Sequence, residues 1–139
     1  MGESFIDNFF HFYQIKQNKH LEGSKEPTGA TVTSFYVIFQ HFGSEELKSK
    51  VLPRIISGEK ISALAITEPG GGSDVAALQT KAVRDGDYYI VSGEKTFITS
   101  GIRADYYTVA VRTDPTKTGA EGISMLLVDA HREGITKTP

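Results

Sequence analysis

The chain has no cysteine. That excludes disulfides, thiolate zinc sites and cysteine nucleophiles. It has no apolar run near the roughly eighteen residues that a bilayer-spanning helix needs. Charge of one sign is also lacking. Fifteen Lys and Arg face seventeen Asp and Glu, for a net charge of −2, so nothing in the balance draws the chain to nucleic acid or to an anionic membrane surface. The first residues carry Glu3 and Asp7 among apolar side chains. A secretory leader begins basic, and a transit peptide is Arg-rich and acid-poor, so neither is expected here. No internal repeat is visible. A length of 139 residues fits one folded unit, which buries roughly two-thirds of its unfolded surface when compact.

What is present divides near residue 60. Phe5, Ile6, Phe9, Phe10, Phe12 and Tyr13 come close to helical spacing and predict a short amphipathic helix over 4–17, with Ser4 as N-cap. Residues 17–30 are polar with Gly and Pro and read as a loop. His11 and His20 lack partnering carboxylates and read as packed or solvated imidazoles, not metal ligands. Residues 31–42 read as a buried helix, with a strand as the alternative left open by their β-branched and aromatic content. Ser44, followed by Glu45 and Glu46, starts a helix whose apolar face is Leu47, Val51, Ile55 and Leu52. Pro53 predicts a kink or a split into two short helices. Gly58 is the expected stop.

From residue 61 the pattern is short strands with turn residues between them. Strands are expected over 62–67, 80–84, 87–91, 95–99, 105–113 and 123–129, with a further one starting at Gly134-Ile135. Asp85-Gly86 is the hairpin signal between the second and third. The fold class is therefore α+β: short N-terminal helices followed by an all-β barrel or sandwich. Residues 1–60 form a helical stub and linker, and residues 61–139 form the β domain.

The chemistry concentrates in 61–101. An apolar run, Ala63-Leu64-Ala65-Ile66, breaks into Thr67-Glu68-Pro69, then Gly70-Gly71-Gly72-Ser73-Asp74, and the stretch ends at Thr96-Phe97-Ile98-Thr99. The glycines are not a dinucleotide fingerprint, since Val75 stands where a third glycine belongs, and no Gly-Lys-Ser/Thr makes a Walker loop. They still permit positive φ and close backbone approach. With Ser73 they offer N–H groups and a hydroxyl suited to a phosphorylated tail, although on composition alone a plain turn between strands is the favoured reading. Thr67 and Thr99 end two expected strands, where their hydroxyls can face one ligand edge. Phe97, two residues before Thr99, would share its strand face and can pack on a flat ring. Glu68 is held extended by Pro69 and reads as a salt bridge or turn cap, not a general base. Asp74 is expected to brace the loop. Arg103 with Asp105, and Glu94 with Lys95, read as surface charge.

At these residues the chain resembles the acyl-CoA dehydrogenase family. Residues 65–77, Ala-Ile-Thr-Glu-Pro-Gly-Gly-Gly-Ser-Asp-Val-Ala-Ala, resemble its first signature. Phe97-Ile98-Thr99 resembles its second flavin-contacting segment, where Trp-Ile-Thr is common. Residues 41–48, 52–53 and 57–60 look like the helix that leads into its middle domain. The resemblance covers roughly residues 39 to 139. It implies a middle β-barrel that binds FAD between an N-terminal helical domain and a C-terminal four-helix bundle. By carry-over, Leu64, Ala65, Ile66 and Thr67 contact the flavin, and Thr67 and Thr99 bond its polar edge. Phe97 packs against the ring beside Ile98. Gly72 and Ser73 lie near the phosphates, with Ser73 also near the acyl-CoA. The implied reaction is α,β-dehydrogenation of an acyl-CoA thioester: a glutamate takes the α-proton and the β-hydride goes to the flavin. An electron-transferring flavoprotein is the implied electron acceptor, although these motifs do not separate an oxidase that uses O₂. The implied assembly is a homodimer or homotetramer. The compartment would be the cytoplasm in a bacterium and the mitochondrial matrix in a eukaryote. The family's glutamate usually comes from the C-terminal bundle, which has no counterpart in this sequence. No catalytic residue is therefore assigned, and no metal is expected. A non-catalytic flavin- or acyl-CoA-binding fragment is the alternative.

Overall fold

The computed structural model describes Tyr36 and residues 38–139. The helix expected over 4–17, the loop over 17–30 and the two histidines in them lie outside the described residues. Residues 36 and 38–42 are helical, so the described part of the 31–42 stretch is helix and not strand. Helix α1 follows at Glu45–Ile56. Ser44 caps it, its Oγ accepting the Leu47 N–H at 3.3 Å, and Glu45 and Glu46 occupy the first turn, where the helix dipole favours acids.

Pro53 does not split α1 into two short helices, one of the two outcomes expected of it. The helix runs unbroken through it. A proline withdraws one intrahelical donor, here the partner of the Ser49 carbonyl four residues back. Ser49 is exposed, so water can supply the missing bond. Beyond the helix, Gly58 has φ of +75° and the Lys60 N–H reaches back to the Arg54 carbonyl at 3.0 Å. That is the left-handed stop expected of glycine at this position.

Five strands form one mixed sheet: β1 Ser62–Ala65, β2 Lys81–Asp85, β3 Tyr88–Ser92, β4 Tyr106–Arg112 and β5 Ile123–Asp129. β4 is the spine. β5 pairs with it antiparallel along its whole length. β1 runs parallel to residues 106–109, and β2 meets it, also parallel, at Arg112. β3 pairs with β2 in an antiparallel hairpin. The turn lies one residue later than expected. Asp85 pairs with Tyr88, leaving Gly86 and Asp87 as the two-residue loop, with Gly86 at φ +59°, the conformation such loops require of their first residue. Residues 134–139 form no strand, so the strand expected from Gly134 is not present.

One face of the sheet carries the helices. Ile38, Phe39, Val51, Leu52 and Ile55 pack together and onto Leu64, Tyr106 and Leu127. The same sheet face continues to Ala110, Ile123 and Met125, where Leu78 and Val75 cover it. Val111 projects to the other side of β4 and is fully buried. Asp105 pins the strand ends. Its carboxylate accepts from Lys60 Nζ (2.8 Å) and the Ile61 N–H (2.9 Å), and its carbonyl accepts the Ala130 N–H. This corrects the surface pairing expected with Arg103. A carboxylate with a backbone donor and a cation of its own is a strand clamp.

Candidate functional site

The two segments singled out in the sequence meet in space. β1 ends at Ala65, and Ile66 and Thr67 continue past it. The Thr96 N–H donates to the Thr67 carbonyl at 2.9 Å, which lays the second segment beside the first. The chain then reverses tightly: the Glu68 and Gly71 N–H groups each bond the other residue's carbonyl at 3.1 Å. This returns Gly72 to Thr67. A Cβ on Gly72 would sit 3.1 Å from Thr67 Cγ2, a tight contact that would push the threonine methyl aside by a few tenths of an ångström, so glycine lets the loop lie against the threonine without strain. Gly70 and Gly71 face open space. Ser73 and Asp74 are exposed. The Asp74 side chain makes no capping bond; its carbonyl instead accepts the Ala77 N–H at 3.2 Å, bracing a short 3₁₀ turn at Val75–Ala77.

The strand expected over 95–99 is not there. Residues 93–98 are irregular and 99–103 form a turn. Phe97 has φ of +55° and Ser100 of +61°. β-propensity loses here because the donors of this stretch are committed elsewhere. The Thr96 N–H goes to Thr67, and the Lys95 side chain reaches across to the first segment. Gly93 also presses onto Thr80, where an added Cβ would meet the Thr80 Cα at 2.7 Å. Phe97 and Thr99 therefore do not share a strand face. The Phe97 ring is instead 92% exposed, held out on a left-handed backbone. Thr99 is exposed and Ile98 half-buried. Leu64 packs under α1 and Ala65 is buried; Ile66 and Thr67 are half-buried.

Beneath this edge lies a buried charge cluster. Glu68 is 8% exposed. Its carboxylate accepts from the Gln79 N–H (2.6 Å), the Thr80 N–H (2.9 Å) and Thr80 Oγ1 (2.5 Å). Lys95 Nζ donates to it at 2.8 Å and to the Ile66 carbonyl at 3.0 Å. Burial alone would raise the Glu68 pKa, but Lys95, Thr80 and the two backbone donors outweigh it and hold the pKa at about 2. Burial pushes the Lys95 ammonium down, and Glu68 offsets that in part. Glu68 is thus ionised, fully engaged and a weak base. It is the salt bridge expected of it, but Lys95 is not the surface charge it resembled in the sequence.

Sequence reasoning missed three parts of the site: Lys95, the adjacent Gln79 and Thr80, and Arg112. Lys95 stands between Glu94 and Thr96 with nothing local to mark it as buried. Gln79 and Thr80 close the glycine loop through the Glu68 carboxylate, eleven and twelve residues away. The third is Arg112, whose guanidinium donates to the Ala76 carbonyl at 2.6 Å and to those of Lys117 and Gly119 at 3.3 and 3.4 Å. It ties the turn after the glycines to the loop over 113–122. Among the described residues no group of His, Asp and Glu is placed to hold a metal ion, and no helix is long and apolar enough to cross a membrane.

Glycines that face open space, the exposed Ser73 and Thr99 and the exposed Phe97 thus lie above a braced base. Comparison with known proteins places the chain in a family. The family described as "Acyl-CoA dehydrogenase, middle domain" matches residues 63–139. The acyl-CoA dehydrogenase FadE29 of Mycobacterium tuberculosis is 50% identical over 100 residues, covering 72% of this chain and 26% of that protein. The mitochondrial isobutyryl-CoA dehydrogenase of Dictyostelium discoideum is 47% identical over 95 residues, or 68% of this chain and 23% of its own length. Among solved structures, an acyl-CoA dehydrogenase from Geobacillus kaustophilus superposes with a TM-score of 0.68 at 52% identity, over 70% of this chain and 26% of that one. A structure described as an FAD-dependent dehydrogenase reaches a TM-score of 0.74 at 38% identity, over 78% of this chain and 29% of its own. The chain spans about a quarter of the length of the curated relatives it matches.

Proposed function

The chain belongs to the acyl-CoA dehydrogenase family, and on that premise we propose that residues 61–139 form one wall of an FAD and acyl-CoA site. Helix α1 (Glu45–Ile56) and residues 57–60 lead into that wall. The observation that carries this reading is the junction of the two segments. The Thr96–Thr67 hydrogen bond brings Thr67, Gly72 and Ser73 to the same edge as Phe97, Ile98 and Thr99. Thr67 and Thr99 supply hydroxyls for the polar rim of the ring, and the exposed Phe97 phenyl offers it a packing surface. Gly72 and Ser73 offer backbone N–H groups and a hydroxyl to phosphate oxygens. Ser73 also reaches toward the acyl-CoA. Leu64 and Ala65 are core residues, so they shape the edge through their backbone; Ile66 does so in part. Bound there, FAD would accept hydride from the acyl thioester in α,β-dehydrogenation.

Proton abstraction is not assigned to this wall. Glu68 has a pKa of about 2 and its oxygens are occupied, so it cannot serve as the base. In an intact dehydrogenase the base, the partner electron-transferring flavoprotein and homo-oligomeric contacts would engage other surfaces. The occupancy of Glu68 also favours a second reading, in which this chain alone binds flavin without turnover.

Titrating FAD with the purified chain and following flavin fluorescence tests the proposal. Saturable quenching is expected, weak enough that flavin is lost on gel filtration, with no oxidation of acyl-CoA by an artificial acceptor. Fluorescence that stays linear in FAD at every chain concentration would overturn the flavin wall. A yellow preparation that turns over acyl-CoA would overturn the non-catalytic reading.

A further inference from the structure

Lys95 and Glu68 lie between the two segments of the edge and touch both. Lys95 Nζ bonds the Ile66 carbonyl, one residue before Thr67, and the adjacent Thr96 N–H bonds the Thr67 carbonyl itself. Glu68 begins the glycine turn and receives Gln79 and Thr80, where the loop returns to the sheet. The pair therefore closes the base of the 69–78 loop and fastens the 96–99 segment to it. Their side chains are 10% and 8% exposed. A buried ion pair is a poor means of gaining stability, because desolvation consumes most of the Coulomb attraction and an apolar pair often does as well. What charge and fixed donors supply better than apolar packing is a defined separation and register.

We propose that Glu68 and Lys95 are positioning residues, which hold the Thr67–Gly72 and Thr96–Thr99 segments in one fixed register so that the edge is in shape before a ligand arrives. The ligand part of this rests on the flavin reading above. The pair touches no ligand in this account. It acts through the Ile66 carbonyl, the loop base and the Thr96–Thr67 bond, as supporting residues do in pre-organised sites. Phe97 makes such support necessary. A non-glycine residue with positive φ is retained only where its neighbours over-determine it, and Lys95 and Thr96 are the anchors immediately before it.

The test compares the chain with Lys95→Met, with the double variant Glu68→Gln/Lys95→Met, and with Lys95→Arg. Hydrogen exchange reads the amides and fluorescence titration reads FAD affinity. The double variant leaves no unpaired buried charge and is expected to keep its melting temperature within a few degrees. It should nonetheless lose exchange protection at the Thr96 and Thr80 amides while the β4 amides stay protected. FAD affinity should fall roughly tenfold, the equivalent of one lost charge-assisted hydrogen bond. Lys95→Arg keeps a cation with several donors and should restore both. Exchange that rises uniformly, or Thr96 protection that does not change, would overturn the positioning role, because a general stabiliser acts on all amides together. Affinity that stays constant while Thr96 loses protection would overturn the link to the ligand. If Thr96 protection falls selectively but the unmodified chain binds no FAD, the register role stands and the flavin reading fails.

Discussion

Replacing Glu68 by Gln should remove a specific portion of the acid sensitivity of folding. The folded pKa is about 2, against an ordinary value of 4.5. A depressed carboxyl stabilises the fold wherever it is ionised in both states, above about pH 4.5. That contribution is lost as pH falls through 4.5 toward 2, because the unfolded chain takes up the proton first. A difference of about 2.5 units corresponds to about 3 kcal/mol at neutral pH, and more than half of it should be gone by pH 3. Burial pushes the Lys95 ammonium down and sets an opposing cost, which Glu68 offsets in part. Asp105 also has a lowered pKa, through the Ile61 N–H and Lys60 working against burial, and so steepens the acid limb of the unmodified chain. It is present in both proteins and cancels in their difference.

The measurement is urea unfolding of the chain and of Glu68→Gln at a series of pH values from 7 to 2.5. At pH 7 the variant should be less stable by roughly 3 kcal/mol, the range expected when one partner of a buried pair is lost. The gap should narrow steadily below pH 4.5 and be small near pH 2.5. A gap that keeps its neutral value down to pH 3 would refute the reasoning, since it would mean that Glu68 is not the group whose ionisation is linked to folding.

Three further outcomes follow from the same structure. Gly72→Val places a side chain where a Cβ already meets Thr67 at 3.1 Å, and Thr99→Ala removes an exposed hydroxyl; both should weaken FAD in the titration, and unchanged affinity in both would sink the site assignment. Ile55→Ala empties a 1% exposed position in the contact between α1 and the sheet and should cost about 2–5 kcal/mol in chemical denaturation. Tyr88, Tyr89, Ile90 and Val91 are all exposed on β3, which pairs only with β2 among the described strands; Ile90→Lys should therefore lower the self-association measured by sedimentation, as charge does on open strand edges.

Much of the architecture was legible because it is written in local pattern. Ser44 with two acids marks the start of α1, Gly58 marks its end, and the apolar run 123–129 marks β5 to the residue. The misreadings at Lys95 and Asp105 share one physical cause: a partner far away in sequence. Lys95 looks like surface charge because its partners, Ile66 and Glu68, are 29 and 27 residues away. Asp105 looks paired with Arg103, but its cation is Lys60, 45 residues back. Thr96-Phe97-Ile98-Thr99 has the composition of a strand, but its backbone turns left-handed at Phe97 and again at Ser100. No period or spacing within a window reports such links.

Those same cross-links give the strongest reason to treat the edge as a site. A phenylalanine in the left-handed region costs roughly 1–3 kcal/mol, and leaving its ring in water forfeits about another 1.5–3 kcal/mol of burial. Neither backbone preference nor core packing therefore accounts for Phe97 at φ +55° and 92% exposure. The fold accepts both costs and reinforces the result: Lys95 and Thr96 anchor the chain before the ring, and the Gly101 N–H to Ile98 carbonyl bond, 2.9 Å, anchors it after. An arrangement that works against stability and is braced on both sides supports the flavin wall proposed above, in which the two threonines and the glycine turn lie beside the ring.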